Sequence, residues 1–95
     1  MAIQIINIRR GFTYSENPHA AITDFKWKNL QTGAISQSTK IAMIDWIANK
    51  GGVAYVFGRN GSKVLCHVMR GKYSSWVQTY ADSTPTDNLL NLPTF

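Results

Sequence analysis

The adjacent residues Cys66 and His67 are of types that suggest catalysis, because cysteine hydrolases use a thiol beside an imidazole. Both lie in a segment, 63–70, whose alternating apolar residues predict a β-strand. Neighbouring residues in a strand point their side chains to opposite faces of the sheet. The sequence therefore predicts that Cys66 is a core residue and forms no catalytic pair with His67.

The other residues that could ligate a metal or transfer protons are widely spaced. One cysteine with His19 and His67 matches no zinc spacing, and there is no calcium-binding loop. The five carboxylates stand singly along the chain, so an acid pair of the glycosidase kind cannot be argued. We expect no metal, no cofactor and no catalytic residue. A small hydrolase or transferase using His19 or His67 stays open as an alternative.

Basic and aromatic residues near the start of the chain form the candidate binding site. Ten Lys and Arg stand against five Asp and Glu, and this net charge of +5 attracts anionic partners. Aromatic rings beside guanidinium groups can also stack on bases. A turn-rich segment, 11–21, supplies the rings next to two arginines. The predicted binding residues are Arg9, Arg10, Phe12, Tyr14, His19, Lys26 and Lys28.

These residues predict a non-enzymatic binding or accessory module, with an unknown protein as its first expected partner. The positive charges are scattered, with no run longer than Arg9-Arg10, so any binding of nucleic acid is expected to be weak. The apolar start of the chain is too short and too interrupted for a membrane span or a signal peptide. A single cysteine favours a reducing compartment, so we expect a cytoplasmic protein. We also expect a monomer or a weak dimer and no membrane partner.

The elements that position these residues follow from hydrophobic periodicity. Strands are predicted at 2–10, 22–29, 34–37, 53–58, 63–70 and 76–81. A helix is predicted at 40–50, capped by Ser38 or Thr39 and ended by Gly51-Gly52. Its buried stripe is predicted to be Ile41, Ile44, Ile47 and Ala48. The expected core consists of Phe25, Trp27, Ile44, Ile47, Val56, Cys66 and Val68.

The order of these elements predicts the fold class. It reads β-β-β-α-β-β-β, with Asn60-Gly61 as a hairpin turn and a docked C-terminal turn at 86–92. Strands that arrive in consecutive, short-linked groups favour an α+β fold with an antiparallel sheet of about five to six strands and one helix packed on a face. A chain of 95 residues has room for a single domain, 1–95.

The C-terminal half carries a sequence pattern. Trp76-Val77-Gln78-Thr79 is followed by Asp82 and then by Asp87-Asn88-Leu89-Leu90-Asn91-Leu92-Pro93. This pattern resembles that of a family of small bacterial domains of unknown function, which end in a strand reading Y/W-[IV]-x-T followed by D-N-L-L-x-L-P. The helix followed by Gly-Gly-x-Ala-Tyr is similar as well. The resemblance covers 35–93 and implies a fold and a bacterial or phage source, but no activity.

Overall fold

A computed structural model describes residues 1–11, 18–57, 63–72, 74–79 and 89–95. Six strands lie in these ranges: β1 Ala2–Arg10, β2 Ile22–Asn29, β3 Ile35–Thr39, β4 Val53–Phe57, β5 Lys63–Arg70 and β6 Ser75–Thr79. The helix α1, Lys40–Asn49, connects β3 to β4, and a short 3₁₀ helix, Pro18–Ala21, precedes β2. The predicted Asn60-Gly61 turn lies outside the described residues. The α+β class and the single helix of the prediction are confirmed in the part of the chain described.

The strands form one six-stranded sheet in the order β3-β2-β1-β4-β5-β6. The predicted all-antiparallel sheet is wrong at one place, because β1 and β4 pair in parallel through Ala2 to Gln4. The reason is the helix: α1 returns the chain along the sheet, so β4 runs in the same direction as β3 and therefore as β1. The other four strand pairs are antiparallel, and the sheet is mixed.

The pairing of β1 with β4 stops at Gln4. Further along β1, residues 89–95, called here the C-terminal segment, take the place of β4 through a bridge between Ile8 and Thr94. The Ile8 amide donates to the Pro93 carbonyl at 3.0 Å, and the Phe95 amide donates to the Ile8 carbonyl at 3.1 Å. This short parallel bridge satisfies main-chain groups of a fully buried residue, which would otherwise lose hydrogen bonds to water without replacement. The docked C-terminal turn is seen at 89–92, where the Leu92 amide donates to the Leu89 carbonyl.

Both ends of α1 follow from particular side chains. The Thr39 hydroxyl accepts from the Ala42 amide at 3.2 Å, which confirms the predicted N-cap. At the other end, Gly51 has a positive φ of 68°, which only glycine adopts without strain. Gly52 is needed for a different reason: a Cβ at this position would overlap the indole ring of Trp46.

The face of α1 that packs on the sheet differs from the predicted stripe. Met43 is the fully buried residue of the helix, whereas Ile41 is 80% exposed and Ala48 is exposed as well. Ile44 and Ile47 are half-buried against the core. The helix is therefore rotated toward Met43 relative to the prediction, and the large Trp46 ring also packs against the core.

The core lies between α1 and the sheet. Of the residues predicted for it, Phe25, Val56 and Cys66 are buried, while Trp27, Ile44, Ile47 and Val68 are half-buried. The strand β1 contributes more than any other, with Ile3, Ile5 and Ile8 at 1% exposure or less. Leu89 of the C-terminal segment is fully buried in the same cluster.

Candidate functional site

The face of the sheet that points away from α1, called here the open face, carries rows of side chains that the strand pairing aligns. One row crosses five strands, from Leu65 through Tyr55, Gln4 and Lys28 to Ile35. A second row runs from Asn7 through Lys26 to Gln37, and a third from Arg9 through Asp24 to Thr39. Since partners in a ladder share a face, Arg9, Lys26 and Lys28 stand on one surface. Lys63 shares this surface, because it is two positions before Leu65 on β5.

Arg9 and Lys26 converge on the ring of Phe95. The guanidinium carbon of Arg9 is 4.5 Å from the ring centre, and the Lys26 ammonium is 5.9 Å from it. The Arg9 Nε also donates to the main-chain oxygen of Phe95 at 3.2 Å. Both cations lie within the distance at which an aromatic ring attracts positive charge. The ring therefore holds two side chains from neighbouring strands in place on the open face.

A second cation–aromatic pair lies on β4 and β5. The Lys63 ammonium is 4.9 Å from the centre of the Tyr55 ring. Beside this pair, Phe57 is 38% and Leu65 is 47% exposed. The open face thus combines fixed positive charge with exposed apolar side chains, which are two features of a surface that binds another molecule.

The structure brings some of the predicted binding residues together and places others elsewhere. Arg9, Lys26 and Lys28 are on the open face. Arg10 is exposed, but its guanidinium donates to the Leu90 carbonyl and so fastens the C-terminal segment. His19 is in the interior, with 5% of its surface exposed. Phe12 and Tyr14 lie outside the described residues.

Three residues of the open face were missed in the sequence. Lys63 and Tyr55 meet only because β4 is next to β5, and Phe95 reaches Arg9 only because the C-terminal segment pairs with β1. The alternation of β4 places Tyr55 on the face opposite Val56, and this signal is readable in the sequence. The partner of Phe95 was not readable, since it depends on contacts between residues far apart in the chain.

Cys66 and His67 are on opposite faces, as the sequence predicted. Cys66 pairs with Thr79 and His67 pairs with Gln78, its neighbour on β6. Burial raises the pKa of the Cys66 thiol to about 12, so the thiol is protonated at neutral pH. A protonated, buried thiol is a poor nucleophile.

A pocket of about 260 Å³ lies on the other side of the sheet, beside α1. Its lining is Met1, Ile3, Trp27, Ser38, Ala42, Met43, Trp46 and Lys50. The Ser38 hydroxyl accepts from the Trp27 indole at 3.0 Å, and Lys50 is 3.5 Å from the Asp45 carboxylate. Neither His19 nor His67 lines this pocket, and its lining holds no carboxylate. Acid–base chemistry has no pair of groups here.

Within the described ranges, no three His, Cys, Asp or Glu residues stand close enough to hold a metal ion. None of the helices in the same ranges has the length and apolar character that crossing a membrane requires.

Together these features define an α+β domain with a mixed six-stranded sheet, one helix on one face and a basic, aromatic surface on the other. The family model described as "Protein of unknown function (DUF3892)" matches residues 4–93, and the chain belongs to this family. No curated protein and no solved structure matches the chain.

Proposed function

We propose that this domain is a non-enzymatic binding module that holds an anionic partner on the open face of its sheet. The main support is that Arg9, Lys26, Lys28 and Lys63 lie on one surface. Among the described residues of the rows on this face, Asp24 is the only one with a negative charge. Cations gathered on one face raise the local concentration of a negatively charged partner. The pocket beside α1 lacks convergent titratable groups, which supports binding over catalysis.

The first candidate partner is an acidic protein surface. Exposed apolar side chains, Phe57 and Leu65, stand within the same face as the cations. Protein interfaces combine such apolar contacts with a polar rim, and aromatic residues and Arg are enriched in them. A bacterial cytoplasmic setting is part of this proposal, and the single free thiol of Cys66 is in keeping with a reducing compartment.

The cation–aromatic pairs also favour a second candidate, single-stranded nucleic acid. Phe95 with Arg9 and Tyr55 with Lys63 place rings beside positive charges, and bases stack on rings of this kind. With about three phosphate contacts, the logarithm of the affinity should fall with the logarithm of salt concentration with a slope of roughly −2 to −3. Binding of this kind is weak at physiological salt.

The test compares two double variants with the same change in net charge. Lys26→Glu with Lys28→Glu reverses the open face, whereas Arg70→Glu with Lys72→Glu reverses exposed charges at the end of β5 and in the following turn. On a heparin column, used as a polyanion probe, we expect the open-face variant to elute at clearly lower salt than the control variant. Equal elution would show that net charge alone decides binding and would contradict the proposal.

The nature of the partner is decided by a pull-down from native lysate, with and without nuclease. A protein that is retained in both arms by the wild type and lost with the open-face variant supports the first candidate. Retention that disappears with nuclease supports the second. A protein held equally by the wild type and by both variants would place the binding surface elsewhere.

A further inference from the structure

We infer that the free edge of β3 and the adjoining tryptophan-lined pocket form a second binding site, which takes an extended peptide with one large apolar residue and an acidic residue two positions from it. This site does not rest on the proposed function of the open face, because the pocket lies on the opposite side of the sheet. The peptide would add to the sheet as a further strand beside β3. Edge addition of this kind is a known mode of peptide recognition.

The first observation is that β3 ends the sheet. It pairs with β2 on one side, and no other described strand lies on its other side. Four of its five residues are exposed, including Ile35 at 57%. Its sequence, Ile-Ser-Gln-Ser-Thr, contains no proline and no charge, which are the devices that usually protect an edge from a further strand.

The second observation concerns the main-chain groups of β3. The Asn29 amide donates to the Ala34 carbonyl at 2.8 Å, which marks these two as a hydrogen-bonded pair. Hydrogen-bonded and non-hydrogen-bonded pairs alternate along an antiparallel ladder. Ser36 and Ser38 therefore turn their main-chain groups toward β2, while Ile35 and Gln37 turn theirs toward the free edge. A peptide can form up to four main-chain hydrogen bonds with these two residues.

The third observation is the position of the pocket beside this edge. Ser38 of β3 is part of its lining, and its hydroxyl accepts from the Trp27 indole, so the edge strand and the pocket are in direct contact. Alternate side chains of an added strand point to the same face as Ser36 and Ser38. One of them, if large and apolar, reaches the indoles of Trp27 and Trp46. At about 260 Å³ the pocket suits a single side chain and not a larger cofactor.

The positive charge beside the pocket favours a peptide that contains an acidic residue. Lys50 lines the pocket and its side chain is 67% exposed, so its ammonium is accessible to a second carboxylate besides that of Asp45. The chain as a whole carries +5, and this charge also favours an acidic peptide.

A second copy of the chain fits the site less well. Pairing β3 with the β3 of another molecule would present serines to the pocket, and these are too short to fill it. Two molecules of charge +5 also repel each other. We therefore assign the site to a partner peptide.

The experiment starts from a display library of random linear seven-residue peptides selected on the immobilised domain. We expect enriched sequences to place Leu, Ile, Phe or Trp two positions from Asp or Glu, since alternate side chains of a strand share a face. A synthetic peptide of the consensus sequence is then titrated, with tryptophan fluorescence as the readout, since Trp27 and Trp46 line the pocket. Failure to enrich any sequence over a Gln37→Pro bait would overturn the inference.

Two pairs of variants separate the edge from the pocket. Gln37→Pro removes a main-chain amide from the free edge and leaves the hydrogen bonds to β2 intact. Proline is tolerated at such an edge position. The control, Gln37→Thr, keeps the amide. Ala42→Leu fills the pocket from α1, and Ala48→Leu adds the same atoms at an exposed position that does not line the pocket. We expect Gln37→Pro and Ala42→Leu each to weaken binding about tenfold or more, and both controls to bind like the wild type.

Two further results would overturn the inference. Equal binding by all four variants would mean that the selected peptide sits elsewhere, and the inference would be wrong. A dimer in sedimentation that Gln37→Pro dissociates would assign the edge to a second copy and would overturn the assignment to a peptide. Circular dichroism of each variant checks that the fold is kept before binding is compared.

Discussion

The guanidinium group of Arg9 stacks on the ring of Phe95, with 4.5 Å between the guanidinium carbon and the ring centre. The two residues are 86 positions apart, and the Arg9 Nε also donates to the main-chain oxygen of Phe95. A single side chain of β1 thus holds the C-terminal segment by two different interactions. Arg9 therefore stabilises the position of the C-terminal segment in addition to placing a positive charge on the open face.

A double-mutant cycle tests this contact. Phe95→Leu keeps an apolar side chain but removes the aromatic ring, and Arg9→Met keeps most of the length of the side chain but removes the charge. We expect a coupling of about 0.5–1 kcal/mol in the free energy of unfolding, the usual strength of an exposed cation–aromatic pair. Urea denaturation of the wild type and the three variants measures it. A coupling of zero would show that the two side chains do not stabilise each other.

The rotation of α1 predicts different costs for two substitutions on the same helix. Met43→Ala leaves a cavity under the helix, because Met43 is 2% exposed, and should lower the free energy of unfolding by about 2–5 kcal/mol. Ile41→Ala changes an exposed side chain and should cost no more than about 0.5 kcal/mol. Chemical denaturation of both variants gives the comparison. Similar losses for the two would mean that the buried face of the helix is wrongly assigned.

Gly52 should tolerate no side chain, because an added Cβ would overlap the Trp46 ring. We expect Gly52→Ala to destabilise the domain by about 1–3 kcal/mol, the usual cost of forcing extra atoms into a packed site. Replacing Trp46 by Leu first removes much of the ring, so Gly52→Ala should cost less in that background. Thermal unfolding of the two pairs measures the difference. The same cost in both backgrounds would exclude the overlap as the cause.

The raised pKa of Cys66 predicts a pH dependence of stability above pH 9. Since the unfolded thiol loses its proton near pH 9 and the folded thiol keeps it to about pH 12, unfolding releases a proton between these values. The free energy of unfolding therefore falls as pH rises through this window, by at most about 1.4 kcal/mol per pH unit from this group. Below pH 9 the thiol contributes no such dependence.

Cys66→Ala is the control for this effect. The measured quantity is the difference in slope between the wild type and this variant, which isolates the contribution of the thiol. We expect the variant to lose less stability between pH 9 and pH 11 than the wild type does. The native wild type should also react slowly with a thiol reagent at neutral pH, since burial excludes the reagent as well. Parallel curves and fast labelling would both speak against a buried thiol.

Local sequence signals were sufficient for several elements and for part of the candidate site. The alternation of 22–29 places Phe25 in the core and Lys26 with Lys28 on the other face, since a strand has a period of two. The Thr39 cap and the positive φ of Gly51 are likewise local, because each depends on residues within one helical turn. These features need no knowledge of the rest of the chain.

What the sequence did not provide depends on distant residues. The parallel pairing of β1 with β4 follows from where α1 returns the chain, and periodicity carries no information on strand order. The face of α1 was misjudged because an apolar stripe through Ile41 and one through Met43 both fit a helical period, and the space for Trp46 decides between them. Phe95 lies on the open face because the neighbouring residue Thr94 forms a bridge with Ile8 of β1, and no local pattern predicts this contact.

The position of the C-terminal segment beside β1 has a consequence for synthesis of the chain on the ribosome. The main-chain amide of Ile8, on a central strand of the sheet, donates to the Pro93 carbonyl, which is synthesised much later than Ile8. Until that segment leaves the exit tunnel, this half of β1 has an unpaired side, and a nascent chain cannot complete its central strand. Such late closure exposes a strand edge during translation, when contacts with chaperones or other nascent chains compete for it.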